Sequence, residues 1–358
     1  MRLHLRKAIC LLCGFAIIIL FQQIPTLGRF YANQIYPIIR TVLNGFSSFF
    51  PFSLYDLFIL AAIAGVIIGI ICLFFRKSRK KSFFALIFGL GWIYIAFYAL
   101  WGINYFAPDF MTRNQLIPAT YDSAQFYTFL SEYTNQLNQS YTEVPEYNAA
   151  QLDSLIKAAE QPVRTQFNFP ALPASATVKP MLFGTLYASM GIRGYYGPFF
   201  AESHINPRFL LHERPAITAH ELGHLAGITS EAEANLYAYL LTTRSDNAGV
   251  RFSGYYSILP YVLANAYKNL PEPAYRQFIE QIDPQIIALY HQSRQHWQAL
   301  YSERLGKIQD WLYEAYLKGN NIPSGQANYS EVVGLLIAIN PLISPAPVSA
   351  TSMDVRSR

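Results

Sequence analysis

"AITAHELGHLAGITSEAEAN", residues 216–235, decides how this chain is read. On a helix, His220 and His224 lie four residues apart on one face, where both imidazoles reach a single ion. Glu221 is turned about 100° from His220, so it stands beside such an ion rather than on it. This spacing serves a known chemistry, in which two histidines hold zinc and the glutamate takes a proton from water. Neutral imidazole is a good zinc ligand, and the ion brings the pKa of water down to about 7. Pro215 suits the first turn of the helix. Gly227 suits its C-terminus, where a left-handed residue turns the chain back.

A catalytic zinc has three protein ligands and one open position. One known pattern places a third histidine six residues after the second. Here that position is Ser230, a poor ligand. Glu231 and Glu233 follow on a second helical stretch, "EAEANLYAYLL". They sit about 200° apart on it, so only one faces the ion easily. Glu231 is the first choice, because Asn235 one turn on is placed to hydrogen-bond a ligating histidine. Glu233, with Tyr237 in the equivalent place, is the second.

Charged residues make up only 14% of the chain and apolar ones 52%, well off the balance of a soluble domain. The charge is missing from three places: "AICLLCGFAIIILF" from Ala8, "LFILAAIAGVIIGIICLFF" from Leu57 and "FFALIFGLGWIYIAFYALWGINYF" from Phe83. About 20 largely apolar residues cross a bilayer, so spans are expected at about 8–28, 55–75 and 83–105. The first reads as an anchor, with a cleaved signal peptide as the alternative. Lysine and arginine crowd the N-terminal tail and "RKSRKK" (76–81), while 29–53 holds only Arg29 and Arg40. That bias puts the N-terminus in the cytoplasm and everything after the third span on the far side. The net charge of +5 is mostly this signal, and no nucleic-acid surface follows from it. Cys10, Cys13 and Cys72 all fall in spans, so any metal held beyond residue 106 takes His, Asp or Glu ligands.

Beyond 106, Phe126, Leu130, Tyr133 and Leu137 keep a helical spacing, and "NAAQLDSLIKAAEQ" continues it. The aromatic stretch 169–211, punctuated by proline and glycine, predicts a small sheet or hairpins. Helical patterns resume over about 273–317, and "NYSEVVGLLIAI" is a final helix too short to span, packed in the core. Residues 343–358 read as a loose tail. The motif has Glu213 and Arg214 before it and two acids after it, so it belongs outside the bilayer.

"HELGH" followed by "EAEAN" resembles the gluzincin metallopeptidases, in particular membrane-anchored ones whose second helix reads Glu-x-x-x-Asp. In that pattern the first Glu is the third zinc ligand and corresponds to Glu231. The Asp corresponds to Asn235, a departure that keeps hydrogen bonding but removes a charge. With the three apolar segments, "WGINYF" at 101–106 and "GYYGPFF" before the motif, most of the chain is similar to a narrower bacterial membrane family, domain of unknown function 3810. The resemblance implies a zincin-like fold and brings no substrate.

The expectation is an α+β, mainly helical protein. It has a membrane region (1–106), an extracytoplasmic zincin-like metallopeptidase domain (107–342) and the tail. Its function is that of a zinc metalloendopeptidase of the bacterial cytoplasmic (inner) membrane, with Zn2+ on His220, His224 and Glu231. Glu221 is the general base and then the proton donor to the leaving amine. The lipid bilayer and a peptide or protein substrate are the partners. By fold analogy, the edge strand in "GIRGYYGPFF" pairs with an extended peptide. The alternatives are a non-hydrolytic zinc-binding sensory or scaffold protein, which Asn235 favours, and a metal-free structural domain. Tyr195 and Tyr196 are candidate oxyanion donors, with packing as the default. His204 and His212 either line the cleft or sit on surface loops. His291 and His296 are expected to be exposed.

Overall fold

A computed structural model describes residues 2–116 and 123–343; the expected tail, from residue 344 onward, lies outside them. Three helices, Arg2–Gln23, Leu54–Leu73 and Arg79–Leu100, are long and apolar enough to cross a membrane, and little of their surface is covered by protein. The first ends earlier than its hydropathy predicts, because Ile24 is extended and Pro25 starts a new helix. The second begins on Ser53, whose side chain accepts from the Asp56 amide at 2.9 Å. The third stops at Leu100, and 102–106 forms a 3-10 turn.

Residues 29–47, for which the sequence suggested no element, belong to a helical run that starts at Pro25: Pro25–Phe30, a π turn at Tyr31–Ile35, then Tyr36–Ser47. Gly28 lets this segment press on the 102–106 turn, since a Cβ there would lie 2.9 Å from the Phe106 carbonyl carbon.

Helix Ser123–Ser140 turns Phe126, Leu130, Tyr133 and Leu137 to the core. The predicted small sheet has three strands: β1 (Val178–Pro180), β2 (Gly194–Gly197) and β3 (Glu202–Ile205), in the order β1-β3-β2. β3 is central and fully buried; β1 runs parallel to it and β2 antiparallel, with Tyr195 opposite His204. β2 is therefore an edge strand. The motif helix Arg214–Ala226, with Pro215 in its first turn, packs on this sheet. It pairs with Glu231–Thr243, and Leu222, Leu225, Leu236 and Leu240 of the two helices share the main core. Helices Ala248–Ser257 and Leu259–Asn269 complete that layer, with Phe252 and Val262 buried. The final helix Val332–Ile343 buries Val332, Val333, Leu336 and Ile339, as expected of a run too short to span.

The second apolar helix and the end of Tyr36–Ser47 are bolted to the sheet and its flank. Glu202 on β3 accepts from the Tyr55 amide at 2.9 Å and pairs with Lys179 on β1 at 2.6 Å. Lys179 also donates to the Ser47 carbonyl at 2.7 Å. Such a buried pair is tolerable only because these extra hydrogen bonds replace lost water. Asp56 accepts from the Leu182 amide at 2.8 Å and from the Tyr187 hydroxyl at 2.7 Å.

Candidate metal centre

Gly227 ends the motif helix in the left-handed region, at φ 107°. The Ile228 amide then returns to the Gly223 carbonyl at 3.1 Å, and Ser230 caps the next helix through the Glu233 amide at 3.3 Å. This tight connection sets the two helices so that Glu231, first residue of the second, faces His220 and His224. His220 Nε2 lies 3.1 Å from His224 Nε2 and 3.1 Å from Glu231 Oε2, and His224 Nε2 lies 3.5 Å from the same oxygen.

Each group is held from behind. His220 Nδ1 is 2.9 Å from Asn235 Oδ1, and His224 Nδ1 is 2.8 Å from the Ile228 carbonyl. The Tyr313 hydroxyl donates to Glu231 Oε1. The Tyr329 ring lies parallel to His220 with centroids 6.5 Å apart. Neither Tyr313 nor Tyr329 was legible as a site residue; they arrive from about 90 residues downstream, with no spacing signal to mark them.

Glu233 goes elsewhere. Its carboxylate pairs with Arg113 and faces a separate cavity of about 1200 Å3, lined also by Arg29, Asn104 and Arg164. The second-choice ligand is thus engaged away from the two histidines, and none of His220, Glu221, His224 or Glu231 borders that cavity.

Glu221 lies against the edge strand. A Cβ on Gly194 would fall 2.6 Å from Glu221 Cδ, so glycine leaves the room that this carboxylate occupies. Glu221 Oε2 is buried without a hydrogen-bond partner. Burial pushes the Glu221 carboxyl up to about 7; His220 and His224 oppose the rise, and Glu231 adds to it. Burial alone would lower the His224 imidazole, but the charge and hydrogen bond of Glu231, with Glu221 and the Ile228 carbonyl, raise it to about 9. Burial works against the Glu231 carboxylate, yet His224 and His220 hold it well below the usual range. In other words, this cluster attracts positive charge.

The donor set fits a metal ion. Tetrahedral zinc with bonds of about 2.0–2.1 Å spaces its ligand atoms about 3.3 Å apart. Glu231 Oε2 has no well-formed hydrogen bond of its own, as a ligand oxygen would not. Among the described residues, His220, His224 and Glu231 are the one group of three or more His, Cys, Asp or Glu whose ligand atoms converge, all within 4.8 Å.

The C-terminal end of the motif helix is capped from before residue 107. Trp101 Nε1 donates to the His224 carbonyl at 3.3 Å, the Tyr36 hydroxyl to Leu225 at 3.0 Å, and Arg40 to Ala226. The Leu225 and Ala226 carbonyls are ones that a helix end otherwise leaves unpaired, whereas that of His224 also accepts from the Gly227 amide at 3.0 Å. The Arg40 charge also suits the negative end of the helix dipole.

The weaker candidates are accounted for. The Tyr195 hydroxyl donates to Asp56, and that of Tyr196 shares a hydrogen bond with Tyr36 at 3.0 Å. His204 and His212 are neither cleft nor surface-loop residues. His204 is fully buried on β3, stacked on Tyr195 with centroids 4.5 Å apart, because the central strand hides both its faces. His212 is buried against Tyr256, with Nε2 2.9 Å from Ser293 Oγ. His291 is exposed; His296 is half-buried, its Nε2 2.7 Å from the Arg208 carbonyl.

No curated protein and no solved structure matches the chain. The family model described as Protein of unknown function (DUF3810) matches residues 31–337, a stretch that holds the capping residues Tyr36, Arg40 and Trp101, the His220–His224–Glu231 cluster and Tyr313 and Tyr329, and the chain belongs to that family.

Proposed function

We propose that the protein is a membrane-anchored zinc metallopeptidase. The observation that carries this is the convergence of His220 Nε2, His224 Nε2 and Glu231 Oε2 at ligand spacing, with Glu221 beside them. A zinc ion held there supplies a Lewis acid that polarises a peptide carbonyl and acidifies water. Asn235 and the Ile228 carbonyl orient the two imidazoles so that each offers Nε2. Tyr313 holds Glu231 by its other oxygen. Glu221 takes the proton from the attacking water and passes it to the leaving amine. The β2 edge, next to Glu221, receives an extended peptide as an added strand.

The three apolar helices span the bacterial inner membrane, with the N-terminus and the basic 76–81 segment in the cytoplasm. The cluster, which comes after the third span, then lies on the outer side.

The test is elemental analysis of the full chain purified in detergent. Near one zinc per chain, lost in His220→Ala, is the expected result. Glu221→Gln should keep the zinc and lose peptide hydrolysis. Absence of metal after zinc is offered to the folded protein overturns the reading. A second reading, a zinc site without turnover, is favoured by one observation: the 1200 Å3 cavity does not reach Glu221 or the three ligands. It predicts full zinc content and no peptide cleavage by the wild type.

A further inference from the structure

Helix Glu303–Gly319 has three distinct sides. Gly306 and Leu317 are buried, and Tyr313 and Tyr316 turn inward with them. A charged strip of Glu303, Lys307, Glu314 and Lys318 is tied by Lys307–Glu303 and Lys318–Glu314 pairs. The third side is bare and, apart from Arg304 in the first turn, apolar: Leu305 is 38% exposed, Ile308 57%, Trp311 70% and Leu312 51%. These four recur at i, i+3, i+6 and i+7, which on a helix is one stripe.

The ends of this helix say what covers the stripe. At its C-terminal end, Asn320 accepts from the Tyr98 hydroxyl at 2.7 Å, and Tyr316 meets Phe97 edge-on. Both partners lie in the last turn of the third apolar helix. At the N-terminal end, the Ser302 amide donates to the Ser189 carbonyl at 2.9 Å, on the short helix Gly184–Ser189. That helix is fastened through Tyr187 to Asp56, in the first turn of the second apolar helix. The second and third helices form an antiparallel hairpin in which Gly69 packs on Leu86, and in that register Asp56 and Tyr98 stand at the same level. A 17-residue helix, about 26 Å long, thus lies across the hairpin's end. Leu182, Phe183 and Leu186, beside Asp56, are exposed as well.

We propose that Glu303–Gly319 is an interfacial helix whose Leu305–Ile308–Trp311–Leu312 stripe sits in the lipid, the bilayer being the partner that covers it. This rests on the reading of the three apolar helices as membrane spans. Through Tyr313, which is bonded to Glu231, it brings the histidine–glutamate cluster to about one helix diameter from the bilayer surface.

The test uses the full chain with Cys10, Cys13 and Cys72 replaced by serine. Single nitroxide labels go at Ile308→Cys, Leu312→Cys, Lys307→Cys and Asp310→Cys, in phosphatidylcholine vesicles. Collisions with oxygen are compared with those with a water-soluble nickel chelate. Labels at 308 and 312 should favour oxygen over nickel at least five-fold more than labels at 307 and 310. Equal nickel access at all four positions overturns the proposal. So does shielding of 308 and 312 from both reagents, which would mean that a protein covers the stripe. A fifth label, Leu60→Cys, reads the membrane reading itself: if nickel reaches it, that reading has failed and not this inference alone. In the uncut native sequence, vesicles of brominated phosphatidylcholine should quench tryptophan emission less once Trp311→Phe is made.

Discussion

Asn235→Ala tests the metal centre where its sign is clearest. A metal on Nε2 of His220 leaves the ring proton on Nδ1, which then donates to Asn235 Oδ1 across 2.9 Å. Alanine removes this acceptor without refilling its place. An unsatisfied buried donor costs about 1–3 kcal/mol, and losing such an outer partner weakens metal binding by about 10–100-fold. His220 retains 13% side-chain exposure, so water recovers part of the loss and the lower end applies. We expect zinc to bind about ten-fold more weakly, or about 1.4 kcal/mol. Competition against a chromophoric chelator on the detergent-purified full chain measures it. Asn235→Asp keeps the acceptor, adds a charge that makes the imidazole a better ligand, and should bind zinc as tightly as the wild type or more so. If alanine leaves the affinity unchanged, or aspartate weakens it as much as alanine, Asn235 does not orient a ligating histidine.

Three further outcomes follow from contacts already described. Gly194→Ala should cost about 1–3 kcal/mol of stability through overpacking against Glu221 and should impair hydrolysis more than zinc content; a variant as stable as the wild type in thermal unfolding contradicts the close approach. Tyr36→Phe leaves the Leu225 carbonyl without its donor and should destabilise by about 1–2 kcal/mol, read as a lower melting temperature; no shift would mean that water replaces the hydroxyl at that helix end. Burial, aided by Arg193, holds the His212 imidazole down at about 4, below its ordinary 6.5. Its folded pKa is the lower one, so the unfolded chain takes up the proton first. The contribution is complete above 6.5 and is lost as the pH falls toward 4, by up to about 3 kcal/mol at about 1.4 kcal/mol per unit. Denaturation curves of wild type and His212→Gln should therefore diverge over that window, and parallel curves would refute the assignment.

What could be read from the sequence is what repeats locally. The long apolar helices, the amphipathic helix with Phe126, Leu130, Tyr133 and Leu137, and the helical spacing of His220 and His224 are patterns within one element. The choice between Glu231 and Glu233 was narrowed by the about 200° between them, but what occupies Glu233 is Arg113, 120 residues away, which no spacing predicts. The burial of His204 and His212 was missed for the same reason. His204 reads as a loop residue until its strand proves to be the central one, and His212, in the turn before the motif helix, is covered by Tyr256 and Ser293 from far along the chain. Residues 29–47 were assigned no element although Tyr36–Ser47 is amphipathic; what no spacing could show is their work in tertiary contacts, by Tyr36 and Arg40 on carbonyls 225 and 226.

Those last contacts bear on how metal and fold depend on each other. The motif helix ends at Ala226, and two members of the cluster lie on one side of that end and the third on the other, at 231. The geometry of the short connection between them sets the distance across which an ion must reach. The connection is held in place by Trp101, Tyr36 and Arg40, all from the segments that adjoin the apolar helices. A ligand that binds only the folded arrangement stabilises it by RT ln(1 + [L]/Kd), about 2.7 kcal/mol at a hundred-fold excess over Kd. On the proposed metal site the same contacts set the ligand spacing, so loosening them should weaken the metal as well as the fold. Tyr36→Phe, which touches no ligand, should therefore lower zinc affinity measurably, whereas an exposed change such as Lys307→Gln should leave it unaltered. Equal affinities in all three proteins would mean that the cluster forms independently of the segments around it.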